Sequence, residues 1–124
     1  MQKILLNGLQ LSNTNTGVQY YTQQLYKELK KNECDNFKFH LIQSSNSGLR
    51  FTQPNRLKRI FFENFFLLSY LRKNNYNLYH SPNYVLPYFF NFPSVLTIHD
   101  LLTLDHPELC QVESSVYFRL LFIG

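Results

Sequence analysis

The feature that most constrains the fold is a short apolar run that ends in two adjacent polar side chains. Ser94 to Ile98 is rich in aliphatic residues, and His99 and Asp100 follow it directly. Continuous apolar runs of this length are typical of strands that are buried on both faces of a parallel sheet. The carboxyl ends of such strands line the crevice in which open α/β sheets bind ligands. We therefore expect a parallel sheet in which His99 and Asp100 border a binding crevice.

Strand-like and helix-like patterns alternate along the chain. Strands are predicted over Lys3 to Leu9, Phe37 to Gln43, Asn77 to His80 and Ser94 to Ile98. Helices are predicted over Val18 to Lys31, Arg56 to Asn74 and Ser114 to Phe122. This alternation predicts an α/β fold, a Rossmann-like doubly wound parallel sheet in one domain. Such a domain normally continues to another strand, so we expect residues 1–124 to be an incomplete N-terminal half.

Hydrophobic periodicity also predicts which side chains are buried. The first helix has an apolar stripe that is expected to face the core, formed by Val18, Tyr21, Leu25 and Leu29. The long helix has a second such stripe, formed by Ile60, Phe61, Asn64, Phe65, Leu68 and Leu71. Alternation in the second strand places Phe37, Phe39 and Leu41 inward. Asn15 and Thr16 are both suitable N-caps for the first helix. A surface loop is expected over Ser44 to Pro54, a loop or short helix over Tyr84 to Pro93, and a loop over Leu101 to Glu108.

The composition excludes several classes of protein. The longest apolar stretch, Phe61 to Leu71, is interrupted by polar residues and is too short to cross a bilayer. Cys34 and Cys110 lack metal-ligand spacing, which predicts reduced thiols in a cytoplasmic protein. The net charge of +4 is concentrated in Lys27 to Lys31 and Arg50 to Lys73. Such clusters are most often solvated helix faces. Because aromatic residues are interleaved with the basic ones, binding to anionic lipid is an alternative. The sequence contains no nucleic-acid-binding signature beside these clusters.

Three positions at the predicted strand ends are suited to ligand binding. Gly17 precedes the first helix, where a glycine lets a ligand approach the backbone and free N–H groups attract anions. A plain turn glycine is an equal alternative. His80 and His99 end two strands, so we expect both imidazoles to face one crevice. For His80 a structural role is favoured, and for His99, beside Asp100, a functional role is favoured.

Two other chemistries receive little support from the sequence. A metal site would recruit His80, His99, Asp100 and His106, but the His-Asp pair follows a strand and not the helix of metal phosphohydrolases. We therefore expect no metal. The sequence also lacks a GxSxG nucleophile elbow, so hydrolase chemistry through an activated serine is not expected.

Four segments, in this order, resemble the N-terminal domain of GT-B-fold glycosyltransferases of family 4, the group 1 type. They are Lys3 to Asn7, Thr16 to Thr22, Tyr79 to Tyr84 and Pro93 to Leu101. The segments look like the opening strand, the glycine loop with its helix, the strand before the acceptor loop, and the strand that ends in His-Asp. Gln19 and Tyr20 depart from the glycine and arginine usual in that family, which weakens the expectation of a phosphate contact at Gly17.

The resemblance implies a retaining transferase that moves a sugar from a nucleotide-sugar donor to a glycan or lipid-linked acceptor in cell-surface polysaccharide synthesis. It implies no metal or other cofactor, because the nucleotide sugar is a co-substrate. His99 would be the catalytic residue at the reacting sugar. The substrate-binding residues would be Gly17, His80, Asn83, Tyr84 and Asp100.

The resemblance covers the acceptor-binding domain and does not extend to the family's donor-binding C-terminal domain. Because groups from both walls of a cleft stabilise such a transition state, we expect the chain to be inactive alone. It is then a fragment, a truncated product or one partner of a split enzyme whose partner chain carries that domain. Peripheral contact with the inner face of the membrane is a further expectation. The alternative is a non-catalytic Rossmann-like module for binding or protein interaction, whose aromatic surface contacts a partner.

Overall fold

The computed structural model of the protein describes residues 1–11, 16–43, 56–83, 86–87 and 90–109. Within these residues, the strands are β1 (Gln2–Asn7), β2 (Phe37–Ile42), β3 (Leu78–Ser81) and β4 (Ser94–Leu96). The helices are α1 (Gly17–Lys31), α2 (Arg56–Phe65), α3 (Leu67–Lys73) and α4 (Leu102–Asp105), and a 3-10 helix spans Pro107–Leu109. The expected loop over Leu101 to Glu108 is therefore largely helical. The predicted loop over Ser44 to Pro54 and the helix over Ser114 to Phe122 lie outside the described residues.

The strands form one parallel sheet in the order β2-β1-β3-β4. β1 is central, because it pairs with β2 along its whole length and with β3 from Ile4 to Leu6. The chain leaves β1 toward β2 and returns to β3 on the other side of β1. That reversal is the topological switch point at which doubly wound sheets bind ligands. The prediction of an α/β, Rossmann-like parallel sheet is confirmed.

The apolar strand predicted over Ser94 to Ile98, which is β4 in the structure, is less buried than expected. β4 forms an edge of the sheet in the described part of the chain and pairs with β3. Val95 and Ile98 are each 44% exposed, so the expectation of burial on both faces is wrong. An apolar run predicts that a strand forms, but it does not specify whether helices cover both of its faces.

The core lies between the sheet and the α2–α3 pair. It contains these buried side chains: Leu5, Leu9, Ile42, Phe62, Leu67, Leu71 and Tyr79. Leu6 is also buried, and because successive strand residues point to opposite faces, β1 is covered on both sides. In β2 the core residue is Ile42, whereas Phe37 is 45% exposed. The predicted inward position is therefore wrong for Phe37, whereas Phe39 and Leu41 are half-buried. Ile42, predicted on the opposite face, is the residue of β2 in the core cluster.

The predicted long helix is two helices, and its buried stripe differs from the predicted one. The helix is interrupted at Phe66, which precedes α3, although Phe66 N still donates to Phe62 O and Tyr70 N donates to Phe66 O, both at 2.9 Å. Leu71 is buried as expected. Phe61 and Phe65 are 55% and 69% exposed, so Phe62 and Leu67 form the core stripe in their place.

The first helix begins one residue before the predicted Val18, and its buried face differs from the predicted one. Thr16 is the N-cap, and its hydroxyl accepts a hydrogen bond from Gln19 N at 3.4 Å. The buried residues of α1 are Gln19 and Thr22, whereas Tyr21 is exposed. The predicted apolar stripe is wrong at Tyr21, because polar side chains of α1 pack against the segment that follows β1: Gln19 Nε2 donates to Gln10 O at 2.8 Å.

A substitution at Gly8 is expected to destabilise the fold by about 1–3 kcal/mol. A Cβ added by Gly8→Ala would lie 2.7 Å from Leu41 Cδ1 and 3.0 Å from Ile42 O. The carbonyl cannot yield easily, since it already accepts a hydrogen bond from Gly8 N at 2.9 Å. Gly17→Ala is the matched control, because a Cβ there meets nothing within 4 Å. Urea unfolding should separate the two variants, and equal losses would show that the contact at Gly8 is not tight.

Candidate functional site

The carboxyl ends of β1, β3 and β4 meet at one edge of the sheet, and the N-terminus of α1 lies at the same edge. Asn7 ends β1 and Ser81 ends β3. The hydrogen bond from Gln19 to Gln10 joins the first turn of α1 to the segment that follows β1. This edge includes the β1–β3 switch point, so the strand order places the candidate site where open α/β sheets bind ligands.

His80 is held between β3 and the end of β4. Its Nε2 lies 2.8 Å from Thr97 Oγ1, and Thr97 N donates to Ser81 O at 2.9 Å. The pairing of the two strands therefore continues past Leu96 through side chains and backbone. Burial lowers the pKa of His80, which favours the neutral imidazole. This arrangement supports the structural role that the sequence analysis favoured for His80.

His99 is fixed by the backbone of the neighbouring strand end and by an aromatic ring of α1. Its Nε2 lies 2.7 Å from Pro82 O, and since a carbonyl only accepts, Nε2 carries the hydrogen. The Tyr21 ring meets the imidazole edge to face, with centroids 4.8 Å apart and an interplanar angle of 86°. His99 remains exposed. Contacts with Pro82 and Tyr21 therefore orient the imidazole, and the residue remains exposed at the carboxyl edge.

The other predicted site residues have different surroundings. Asn83 is buried, and its Oδ1 accepts a hydrogen bond from Ser81 Oγ at 3.1 Å, which shapes the turn after β3. Asp100 is exposed, and its Oδ1 accepts from Leu102 N at 3.0 Å at the start of α4. Gly17 is the first residue of α1 and has open space at its Cβ position. Tyr84 lies outside the described residues.

The four residues considered for a metal do not form one cluster. In the described ranges, no group of three or more His, Cys, Asp or Glu side chains is arranged to hold a metal ion. His106 instead lies 3.0 Å from Glu108 Oε1, and both side chains are exposed. Cys34 is exposed as a free thiol. Among the described residues, His99 Nε2 bonds to Pro82 O and Asp100 Oδ1 accepts from Leu102 N.

A second polar cluster at the same edge escaped the sequence analysis. Asn7 Nδ2 donates to Glu63 Oε1 and to Tyr79 Oη, each at 2.8 Å, and Asn7 Oδ1 accepts from Leu9 N at 2.9 Å. All three side chains are 2% exposed or less. One sequence signal was available: Glu63 interrupts an apolar stretch of a predicted core helix. A lone carboxylate in such a stretch predicts a buried polar partner.

The acid sensitivity of the fold is expected to depend on His80. The unfolded chain binds a proton near the ordinary imidazole pKa of 6.5, whereas burial lowers the pKa of His80 in the folded chain. The free energy of unfolding should therefore fall as the pH drops below about 6.5, with the loss ending at the lower, folded-state pKa. His40 contributes in the same direction, because burial and then Lys3 lower its pKa.

His80→Gln should reduce this pH dependence between about pH 7 and pH 5. Urea unfolding at several pH values measures it. Glu33→Gln is the control, because its hydrogen bond to Lys30 lowers the pKa of Glu33 below 4.5 and confines its effect to more acidic solution. If the slope in His80→Gln matches that of the unmodified chain, the buried imidazole is not the source of the acid sensitivity.

Comparison of the chain with family models, with curated proteins and with solved structures yields no match. A search of the described helices for a segment long and apolar enough to traverse a membrane also yields none. The features that bear on function are therefore the strand order, the residues at the carboxyl edge and the surface of the molecule.

Proposed function

We propose that this chain is the acceptor-binding half of a retaining glycosyltransferase. The observation that carries the proposal is the position of His99: oriented by Pro82 O and Tyr21, and still exposed at the carboxyl edge of a doubly wound sheet. Sites of this kind combine an aromatic wall with a few oriented polar groups. A sugar presents both hydroxyl groups and apolar C–H faces, so it matches an imidazole beside a tyrosine ring.

In the proposed reaction a glycosyl group passes from a nucleotide sugar to a hydroxyl group of a glycan or lipid-linked acceptor, with retention of anomeric configuration. His99 hydrogen-bonds a hydroxyl group of the reacting sugar. The first turn of α1 at Gly17, together with Asn83, borders the acceptor. His80 acts as a positioning residue, because its bond to Thr97 holds the strand ends together. The opposing wall, which binds the donor, is supplied by a donor-binding domain outside residues 1–124.

The same proposal places the chain in the cytoplasm, at the inner face of the membrane, where cell-surface polysaccharide is assembled from nucleotide sugars. Because one wall of a cleft provides only part of the stabilisation of a transition state, the chain by itself binds acceptor weakly and does not turn over. Efficient sugar transfer by the purified 124-residue chain would contradict the proposed division of the site.

Binding of oligosaccharide acceptors and nucleotide sugars, measured by saturation-transfer NMR, tests the proposal. We expect weak acceptor binding that falls about tenfold or more in His99→Ala, as the loss of an oriented hydrogen bond predicts. His106→Ala is the matched control, because His106 is exposed and bonds only locally to Glu108 in the described structure. Circular dichroism establishes that both variants fold.

A different outcome favours the alternative function. If the chain binds no sugar of either class but binds a protein partner tightly, it is a non-catalytic Rossmann-like interaction module. The exposed phenylalanines of α2 are the observation that favours this alternative.

A further inference from the structure

Asn7 and Gly8 form an Asn-Gly dipeptide where the central strand β1 ends, and the sequence contains no other. In such a dipeptide the backbone nitrogen of the glycine can attack the side-chain amide carbon of the asparagine. Glycine has no Cβ, so its backbone approaches other groups with little steric hindrance. Asn7 is therefore the asparagine of this chain whose side chain is most open to intramolecular attack.

The packing of the core requires both members of this dipeptide. Asn7 is fully buried, and its side-chain amide makes three hydrogen bonds of 2.8 to 2.9 Å. Gly8 is also buried, and a Cβ added there would lie 2.7 Å from Leu41 Cδ1 and 3.0 Å from Ile42 O. A less reactive pair would lose the buried hydrogen bonds or create this clash, so the fold is tied to a chemically reactive pair.

Hydrogen bonds in the folded chain hold both reacting groups. Gly8 N donates to Ile42 O at 2.9 Å, so the proton that this nitrogen must lose before it attacks is shared with a carbonyl of the neighbouring strand. The Asn7 amide is held at both its nitrogen and its oxygen. Attack requires a near-attack geometry of the two groups, so these bonds must first be lost at the Asn7–Ile42 end of the β1–β2 pairing. Local or global unfolding therefore controls the reaction.

We propose that Asn7 is a deamidation site that is closed in the folded chain and opens when β1 unfolds. Gly8 N loses its proton to base and attacks Asn7 Cγ, so a new C–N bond closes a cyclic imide. The bond between Cγ and Nδ2 then breaks, and the amide nitrogen takes up a proton and leaves as ammonia. Water opens the imide at either carbonyl group, which gives aspartate or isoaspartate. The reaction needs no oxidant, reductant or enzyme, and water is its only co-reactant.

Both products destabilise the folded chain. Aspartate at this position would place a carboxyl oxygen about 2.8 Å from Glu63 Oε1, and two buried carboxylates this close cannot both be ionised. Isoaspartate adds one carbon atom to the backbone at the end of β1, which displaces Gly8 N from Ile42 O. A chain that stays unfolded long enough therefore loses its ability to refold, so its operational stability is kinetic.

Incubation of the full chain in mildly alkaline buffer, with and without guanidinium chloride, tests the proposal. Peptide mapping by mass spectrometry measures the conversion of Asn7. The test requires no sugar, so its outcome is independent of the proposed sugar transfer. We expect Asn7 to convert in denaturant and to convert at least about a hundredfold more slowly without it, because a folded domain is open for only a small fraction of the time.

Two pairs of variants assign the reaction to this dipeptide and to unfolding. In denaturant, where folding plays no part, Gly8→Ala should slow the conversion of Asn7 by about tenfold or more because the methyl group hinders attack, and Gly17→Ala should leave it unchanged. Without denaturant, Leu71→Ala should accelerate conversion in proportion to its measured unfolding constant, because its core side chain is fully buried. Tyr20→Ala, at a position that is 61% exposed, should not.

Refolding provides an independent measurement. After increasing times in alkaline denaturant, the fraction of chain that regains its native circular dichroism on dilution should fall at the rate at which Asn7 converts. The same times in mildly acidic denaturant, where the attacking nitrogen keeps its proton, should leave refolding intact. The proposal is overturned if Asn7 converts equally fast in the folded chain, if it stays unconverted in alkaline denaturant, or if deamidated chains refold as fully as unmodified ones.

Discussion

Replacing Asn7 with alanine is expected to destabilise the fold by about 3 kcal/mol. The Asn7 side chain is fully buried and makes three hydrogen bonds, to Glu63, to Tyr79 and to the backbone of Leu9. Alanine removes all three. The costliest loss is the amide donor to Glu63 Oε1, because a buried carboxyl group cannot replace a protein donor with bulk water.

Urea unfolding measures this loss, and Asn74→Ala provides the matched control. Asn74 Nδ2 also donates a hydrogen bond, to Tyr70 O at 2.8 Å, but in an exposed position. Its removal should cost no more than about 0.5 kcal/mol. Equal losses in the two variants would mean that the buried cluster contributes no more than an exposed helix-end bond.

The isosteric substitution Asn7→Asp sharpens the same prediction. It replaces the amide donor with a carboxyl oxygen about 2.8 Å from Glu63 Oε1. Two buried carboxylates this close must share a proton, so the folded variant retains a proton that the unfolded chain has released at neutral pH. The stability of N7D should therefore rise as the pH falls from 7 toward 5, opposite to the trend expected from His80.

The order of the elements follows closely from local sequence. Strands and helices alternate as predicted, and α1 begins one residue before the predicted start because Thr16 has the hydroxyl that an N-cap needs. The carboxyl ends of parallel strands meet at one edge by topology, so a histidine at the end of each of two strands predicts two histidines at that edge. His80 and His99 are both found there, each bonded to the neighbouring strand or its end.

The buried faces could not be predicted from periodicity alone. Phe61, Phe62, Phe65 and Phe66 are equally apolar, and a helix with phenylalanine at all four positions has no single apolar stripe. Packing against the sheet selects Phe62 for the core and leaves the other three rings exposed. The buried face of α1 was equally unpredictable. Two polar residues, Gln19 and Thr22, are buried there, and Tyr21 instead packs against His99 at the carboxyl edge.

The Asn7–Glu63–Tyr79 cluster depends on strand order. Its members are 56 and 72 residues from Asn7 in sequence. Tyr79 lies beside Leu5 because β3 returns to pair with β1, and that pairing is set by the whole chain. Local patterns carry no information about such a contact, although a carboxylate in an apolar stretch indicates that some contact must exist.

Replacing Tyr79 with alanine is expected to have the largest effect of any substitution considered, about 4 kcal/mol. Tyr79 is fully buried in the core cluster, and its ring meets Phe90 edge to face with centroids 5.3 Å apart. Its backbone N donates to Pro93 O at 3.0 Å, so the side chain fills the core directly beside the β3–β4 pairing. Alanine would leave a cavity lined by core residues and would remove one of the two acceptors of the Asn7 amide.

Two further variants separate the contribution of the Tyr79 ring from that of its hydroxyl group and from that of an exposed tyrosine. Tyr79→Phe keeps the ring and removes only the hydroxyl group that accepts from Asn7, so it should cost about 1 kcal/mol. Tyr20→Ala removes a tyrosine that is 61% exposed and should cost less than about 0.5 kcal/mol. Small domains are stable by only about 5–15 kcal/mol, so Tyr79→Ala should unfold at much lower urea concentration than either of these variants. A urea unfolding midpoint of Tyr79→Ala close to that of Tyr20→Ala would place Tyr79 outside the core. If Tyr79→Phe lost as much free energy of unfolding as Tyr79→Ala, the whole effect would belong to the hydroxyl group.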